Sequence, residues 1–309
     1  MYAAETMGNG DEAKAQVEEG ISDEVANRLQ EKSTALTQMR KQKGKNIPEE
    51  LASVDDIKSL QMSASHVGLH SASVPGITCM DVKFSDPNLV VTGGNDKTVV
   101  VFNNQTEQIL STFKGHTKKI NQVIYHPDED VVVSASVDSS IRVWSVRANQ
   151  QALNLKVHDA SVTGLSLHPL GDFLLSCSLD EHWVFSDIRV GKMLLKVSSA
   201  ASTQSADGEQ TIGGNSIALT AAKFHPDGLI VATGTADSII KIWDLKSKTN
   251  LANFPGHAGQ IVALSFSENG YYLASAAEDS TVKLWDLRKL KNFKTLEFEA
   301  NHEVIAAFS

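Results

Sequence analysis

The sequence predicts an all-β protein of the propeller class, in which four-stranded blades stand side by side around an axis. One observation is a sequence unit that recurs about every 42 residues, the length of one blade. Another is that the units carry the same polar residue types at nearly constant distances from an aromatic residue. A third is that short β-branched runs, such as residues 131–136 and 141–144, are bounded by Asp and Ser turns. Together these patterns predict a ring of repeated β-hairpins.

Near the end of each unit, an aromatic residue directly follows an aliphatic residue. These aromatic positions are Phe102, Trp144, Phe185, Trp243 and Trp285. One interval, from Phe185 to Trp243, is longer than the others, so the connection between those two units carries an insertion. We predict that this insertion, residues 198–216, is a mobile loop because it is rich in Ser, Gly, Thr and Gln. A passive linker is favoured, and phosphorylation of its serines is the alternative.

A hydroxyl residue and an aspartate precede the aromatic residue in every unit, and a histidine precedes them in several. The hydroxyl–aspartate pairs are Thr92 and Asp96, Ser134 and Asp138, Ser176 and Asp180, Thr233 and Asp237, and Ser275 and Asp279. The most complete sets are His116, Ser134, Asp138 and Trp144, and His257, Ser275, Asp279 and Trp285. We predict that each set forms a buried hydrogen-bond chain, because a low dielectric strengthens such a chain and penalises an unpaired member.

A catalytic Ser–His–Asp triad is the competing interpretation of these polar residues. An enzyme needs one triad, whereas this pattern recurs in successive units. An active site in the central channel is also disfavoured, because the strands expected there, residues 120–124 and 162–166, show no convergent polar set. We therefore expect no catalytic residue and no cofactor.

The combination of Gly-His, Asp and Trp at these spacings resembles the WD repeat, which folds as a β-propeller. Five units and the start of a sixth are present in the sequence. We predict disorder over residues 1–21, a helix and linker over residues 22–65, and a truncated propeller over residues 66–309. Ser22 is the expected N-cap of the helix. Its apolar stripe consists of Val25, Leu29, Leu36 and Met39.

The predicted helix should end near a basic run, residues 40–45, before Pro48. That run is typical either of a nuclear-import signal or of a solvated helix C-terminus, which the helix dipole favours. The two interpretations stay open on sequence alone.

Composition restricts the class of partner. The net charge of −9 disfavours a broad nucleic-acid surface, which is normally basic. No apolar run of ~18 residues predicts a membrane span, and the polar, acidic start does not resemble a secretory signal. With two cysteines, Cys79 and Cys177, the chain is typical of an intracellular protein with reduced thiols.

Two further groups of residues have competing interpretations. His126, His168 and His225 each directly precede a proline in the turn of the first hairpin of successive units. A turn role is favoured over metal ligation, because histidines on separate blades cannot converge on one ion. Trp183 shares a strand face with Phe185, so a buried packing role is favoured over an exposed recognition aromatic.

The candidate partner-binding surface lies where the aspartate turns and the histidine loops meet. If Asp and His are partners, these loops share one face of the propeller. The residues expected to point to solvent there, which we call the loop rim, are Asn95, Lys118, Lys119, Val137, Asp159, Leu179, Gln260 and Glu278.

Longer blocks narrow the resemblance beyond the repeat. Residues 65–73, 224–230, 265–274 and 285–296 resemble the pre-mRNA-processing factor 19 family, and the similarity covers about residues 22–309. The resemblance implies a nuclear U-box E3 ubiquitin ligase that acts in spliceosome activation and pre-mRNA splicing, with a link to DNA repair. In that family a U-box recruits the conjugating enzyme, a coiled coil forms a tetramer, and a seven-bladed propeller recruits substrates.

The sequence departs from this family at both ends. Nothing before Ser22 resembles a U-box, and no long heptad region is present, so we expect no ligase activity from this chain alone. Residues 305–309 are expected within the first strand of a sixth blade, which suggests a fragment or a shortened form. The expected partners are spliceosomal subunits and ubiquitination substrates, without direct binding of nucleic acid or membrane. A generic WD-repeat scaffold with no ubiquitin connection is the alternative.

Overall fold

The computed structural model of the 309-residue chain describes residues 20–43, 52–62, 64–200, 203–204, 210–211 and 216–298. Most of the predicted disordered start, more than half of the insertion and the expected sixth-blade strand at residues 305–309 lie outside these ranges. Within them, two helices precede strands that form five sheets, one for each of five blades. The predicted all-β propeller class, with a short helical segment before it, is confirmed.

The two helices are α1 (Asp23–Lys43) and α2 (Val54–Ser59). Ser22 caps α1 as predicted, since its Oγ accepts from the N–H of Val25 at 3.4 Å. A capping box starts α2: Ser53 Oγ accepts from the N–H of Asp56, whose carboxylate accepts from the N–H of Ser53. Neither described helix is long and apolar enough to span a bilayer.

The predicted apolar stripe of α1 is buried or half-buried at Val25, Leu29 and Leu36, and the prediction is wrong only at Met39. Leu29 is 2% exposed and packs in a cluster with Phe173, and Val25 contacts the same cluster. Met39, however, is 64% exposed. The C-terminal half of α1 is held by charge instead, because Arg40 pairs with Asp227.

The first three blades are regular four-stranded antiparallel sheets. Blade 1 consists of β1 (Ile77–Val82), β2 (Leu89–Gly94), β3 (Thr98–Asn103) and β4 (Gln108–Lys114). Blade 2 consists of β5 (Ile120–Tyr125), β6 (Val131–Ser136), β7 (Ile141–Ser145) and β8 (Gln150–Leu155). Blade 3 consists of β9 (Val162–Leu167), β10 (Phe173–Ser178), β11 (His182–Asp187) and β12 (Lys192–Ser198).

The last two blades repeat this plan, and the insertion contributes to one of them. Two short strands, β13 (Thr203–Gln204) and β14 (Gln210–Thr211), extend the outer edge of blade 4. Blade 4 otherwise consists of β15 (Leu219–Phe224), β16 (Ile230–Thr235), β17 (Ile240–Asp244) and β18 (Asn250–Phe254). Blade 5 consists of β19 (Ile261–Phe266), β20 (Tyr272–Ala277), β21 (Thr281–Asp286) and β22 (Lys291–Glu297).

Consecutive blades pack face to face, with their first strands in contact as an inner ring. Each hydrophobic cluster is shared by two neighbouring blades, which excludes water from the interfaces. Polar side chains of the inner strands bridge these interfaces. The amide of Gln122 donates to the C=O of Leu165 at 3.0 Å and accepts from its N–H at 2.6 Å. Thr220 Oγ1 donates to the C=O of Ile261 at 2.6 Å.

Candidate functional site

The four predicted residues of blade 2 form one continuous hydrogen-bond chain. Trp144 Nε1 donates to Ser134 Oγ at 2.8 Å, Ser134 Oγ lies 2.8 Å from His116 Nε2, and His116 Nδ1 lies 3.0 Å from Asp138. The Asp138 carboxylate can only accept, so His116 Nδ1 donates to it and His116 is the Nδ1–H tautomer. His116 Nε2 therefore accepts the Ser134 hydroxyl proton, while Ser134 Oγ accepts from the indole N–H of Trp144.

Blade 5 repeats the chain with the same direction. Trp285 Nε1 donates to Ser275 Oγ at 2.8 Å, Ser275 lies 2.7 Å from His257 Nε2, and His257 Nδ1 lies 2.9 Å from Asp279. Asp279 also accepts from the N–H of Ala258 at 2.8 Å. The loop carrying the histidine is thus tied to the aspartate turn by both side chain and backbone.

Electrostatics keep the aspartates charged and the histidines neutral. Burial acts to raise the pKa of Asp138, but hydrogen bonds from the Ser140 hydroxyl and the N–H of Thr117 outweigh it and lower this pKa to about 2. Burial lowers the pKa of His116 despite the nearby carboxylate, and it lowers that of His257 in the same way. At neutral pH the chain therefore holds neutral imidazole against carboxylate.

Blades 3 and 4 carry incomplete versions of the chain. In blade 3, His158 lies 2.8 Å from Ser176 and 2.9 Å from Asp180, but Phe185 has no N–H to donate. In blade 4, Trp243 Nε1 donates to Thr233 Oγ1 at 2.8 Å.

The sequence interpretation missed the histidine of blade 1. His70 Nε2 lies 2.9 Å from Thr92, and His70 Nδ1 lies 3.0 Å from Asp96. Thr92 and Asp96 stand at the expected positions before Phe102, which signals that a histidine should precede them. The spacing hid it, because the loop from His70 to β1 is longer than the loop from His116 to β5.

The loop rim residues lie at the end of the blades where these chains sit. Lys118, Lys119, Asp159, Leu179 and Glu278 are exposed. Asn95, Val137 and Gln260 are only partly exposed. Backbone hydrogen bonds place some of these residues side by side. The N–H of Val137 donates to the C=O of Lys119 at 3.1 Å, and the N–H of Glu278 donates to the C=O of Gln260 at 2.9 Å.

The loop rim carries both positive and negative side chains on loops whose backbone is fixed by hydrogen bonds. Lys118 and Lys119 stand beside blade 2, whereas Asp159 already accepts from Lys196 Nζ at 3.0 Å. In the described part of the chain, no cluster of His, Cys, Asp and Glu is arranged to hold a metal ion. Such a surface can recognise a partner by charge and shape.

The His-Pro turns lie at the other end of the first strands, because His116 precedes β5 and His126 follows it. There the histidines contact the next blade. His126 Nε2 lies 3.3 Å from the C=O of Gly171, and His225 Nε2 lies 2.8 Å from that of Gly270. His225 Nδ1 accepts from the N–H of Asp227 at 3.1 Å, so its Nε2 carries the proton and donates. We call these contacts the inter-blade clasps.

His168 faces blade 4 in the same orientation. Its Nδ1 accepts from the N–H of Leu170 at 3.0 Å, and its ring packs edge-on against Phe224. Burial lowers the pKa of His168 to about 4. Trp183, by contrast, is buried as predicted and packs on Trp243 with ring centroids 6.0 Å apart.

Removing the central hydroxyl of a complete chain should be costly. Ser134→Ala leaves both Trp144 Nε1 and His116 Nε2 buried without a partner, so we expect a loss of about 3 kcal/mol in the free energy of unfolding. Ser176→Ala is the matched control, because Phe185 donates nothing and only His158 loses a partner. Urea unfolding should show about half the loss for the control, and equal losses would contradict a contribution from the Trp144 N–H.

Acid should destabilise the protein in two steps. Burial lowers the pKa of His168 in the folded protein to about 4, below the ordinary histidine pKa of 6.5, so as pH falls the unfolded state binds this proton first. The contribution of neutral His168 to the free energy of unfolding is fully present above pH 6.5 and is lost as pH falls towards 4. We expect a loss of about 2 kcal/mol between pH 7 and pH 5. Thermal melts should show this slope, and His168→Gln should flatten it.

The second step belongs to the aspartates. Burial acts to raise the pKa of Asp138 and of Asp279, but hydrogen bonds outweigh it and hold both at about 2, below the ordinary aspartate pKa of 3.8. Their contribution is present above pH 3.8 and lost as pH falls towards 2. Asp138→Asn should therefore lower stability at pH 7 more than at pH 2.5, and equal losses at both pH values would contradict this assignment.

Known proteins share both the repeat and the longer blocks. The family model described as "WD domain, G-beta repeat" matches residues 65–103, 107–145, 149–184, 209–244 and 248–286, more than half of the chain. The chain is 54% identical over 285 residues to Pre-mRNA-processing factor 19 of Mus musculus and of Homo sapiens, which covers 92% of this chain and 54% of each relative. It is 49% identical over 237 residues to the Caenorhabditis elegans protein of that name, which covers 77% of this chain and 45% of that relative.

These matches confirm the resemblance inferred from the sequence blocks. The chain spans about half the length of the curated relatives that it matches. Each matched repeat ends in the third strand of a blade. The repeats over residues 107–145, 149–184 and 248–286 begin near the outer strand of the blade before, so each of these three repeats bridges two blades.

Proposed function

Since this chain belongs to the WD-repeat family, we propose that it is the partner- and substrate-binding region of a pre-mRNA-processing factor 19-type E3 ubiquitin ligase that acts in pre-mRNA splicing. The observation that carries the proposal is the loop rim, a set of exposed and partly exposed side chains on loops that buried hydrogen-bond chains hold in place. Rigid loops lower the entropic cost of recognising a partner. The names of the relatives support the splicing role.

The finer parts of the proposal follow from the family resemblance. We propose a nuclear location and spliceosomal subunits as the partners of the loop rim. Ubiquitination substrates and a role in DNA repair belong to the same proposal. On this view the chain contributes recognition, and transfer of ubiquitin depends on a U-box.

The experiment compares partner recovery by two charge-reversal variants. Lys118→Glu combined with Lys119→Glu changes the loop rim, and Lys58→Glu on α2 is the matched control because all three lysines are exposed. We expect the rim variant to recover spliceosomal proteins from nuclear extract about tenfold less than the control, as quantified by mass spectrometry. Recovery equal to that of the control would remove the loop rim from the proposal.

The same experiment separates the alternative function. Rim-dependent recovery of proteins that include no spliceosomal subunit would favour a general WD-repeat scaffold. Rim-dependent recovery of spliceosomal subunits supports the proposed function.

A further inference from the structure

A groove of about 870 Å³ lies between the C-terminal half of α1 and the facing edges of blades 4 and 5. It is far from the loop rim in the fold, because its blade walls include the turns that follow β15 and β19. Its floor is apolar and includes Ile242 and Phe254. Leu251 and Tyr271, at its edges, are 43% and 49% exposed. The volume lies in the range of ligand-binding clefts.

The groove is positively charged in an acidic protein. Its lining includes three cations, Arg40, Lys41 and Arg288, and one carboxylate, Asp227. Adding Asp286, which pairs with Arg288 at 3.0 Å, still leaves an excess of positive charge. The chain as a whole carries a net charge of −9, so the sign at the groove is opposite to that of the protein.

The cations differ in how firmly they are held. Arg40 pairs with Asp227 and donates to Thr37 at 3.1 Å. Arg288 lies over the ring of Tyr271, with its guanidinium carbon 4.6 Å from the centroid. Lys41 is exposed and has no carboxylate partner among the described residues. The groove therefore combines a rigid basic border with one ammonium that is available to an anion.

We propose that this groove binds a short peptide segment of a partner protein that carries two apolar side chains next to an acidic residue. The apolar side chains cover the floor near Leu251 and Phe254, and the carboxylate faces Lys41 and Arg288. An apolar floor with a basic border fits such a peptide better than nucleic acid, whose phosphates require a continuous basic surface. The proposal rests on the proposed function, in that it adds a second recognition surface to a partner-binding propeller.

The test uses short fluorescein-labelled peptides that contain two Leu or Phe residues and one Asp residue, with the Asp before, between or after the apolar residues, and measures binding by fluorescence anisotropy. We expect at least one peptide to bind with a Kd in the micromolar range. Lys41→Glu and, separately, Leu251→Ser should each weaken it about tenfold. A peptide with Lys in place of Asp should bind at least tenfold more weakly than its parent.

Two controls make the result specific. Lys58→Glu and the double rim variant Lys118→Glu with Lys119→Glu should leave peptide affinity unchanged, and thermal melts should show that every variant is folded. If no peptide binds saturably, or if Lys41→Glu and Leu251→Ser leave the affinity unchanged, the groove is not a peptide site. Recovery of spliceosomal proteins without peptide binding defeats the groove proposal alone, whereas peptide binding without spliceosomal partners defeats the proposed function alone.

Discussion

Trp243→Ala is expected to lower the free energy of unfolding by about 4 kcal/mol, the largest effect of a single substitution that we predict. The indole is fully buried, between the packed faces of blades 3 and 4, where it contacts Trp183. Removing a ring of this size from a core typically costs 3–5 kcal/mol. The substitution also leaves the buried Thr233 hydroxyl without the N–H that it accepts at 2.8 Å.

The matched variant is Trp243→Phe, which keeps most of the apolar area and removes only the N–H. We expect it to cost about 1–2 kcal/mol. Guanidinium unfolding of the three proteins measures both differences. If Phe were as damaging as Ala, the hydrogen bond to Thr233, and not packing, would be the main contribution of this residue.

Gly228→Ala is also expected to lower the free energy of unfolding by about 3 kcal/mol. Gly228 has φ +79°, and a Cβ added there would overlap Nε2 of His168. The backbone conformation alone costs an alanine about 1–2 kcal/mol. Displacing the His168 ring costs more, because its centroid lies 5.2 Å from that of Phe224 in a well-packed interface.

Gly191→Ala separates the two contributions. Gly191 has φ +74°, nearly the same backbone conformation, but its added Cβ would lie 3.4 Å from the nearest atom of Leu153, an ordinary contact. We expect this control to lose about 1–2 kcal/mol. A control as unstable as Gly228→Ala would show that displacing the His168 ring adds nothing to the loss.

The hydrogen-bond chains were predictable because their members are close in sequence. Ser134, Asp138 and Trp144 belong to the single hairpin formed by β6 and β7, so a fixed residue spacing translates into a fixed geometry. His116 was also predictable, because a short loop joins it to the neighbouring strand β5. His70 was missed because the longer loop between it and β1 changes its distance in sequence from Asp96 and Phe102.

Contacts between elements distant in sequence were not predictable in this way. The stripe on α1 indicated a helix but not its surroundings, and the exposure of Met39 depends on which side of α1 faces blades 4 and 5. The His-Pro turns were correctly recognised as turns. That His225 also reaches the C=O of Gly270 in the next blade depends on how blades are stacked, which hydrophobic periodicity does not encode. The binding role of the loop rim stays a prediction.

The packing of α1 has a consequence for the order of events during synthesis. Arg28 and Arg40 leave the ribosome before any blade, whereas their partners Asp172 and Asp227 follow 144 and 187 residues later. Glu268 in blade 5, the partner of Lys43, is synthesised 225 residues after it. Contacts of such long sequence separation form late in folding. During synthesis, α1 can therefore make all three of these ion pairs only after blades 3, 4 and 5 have formed.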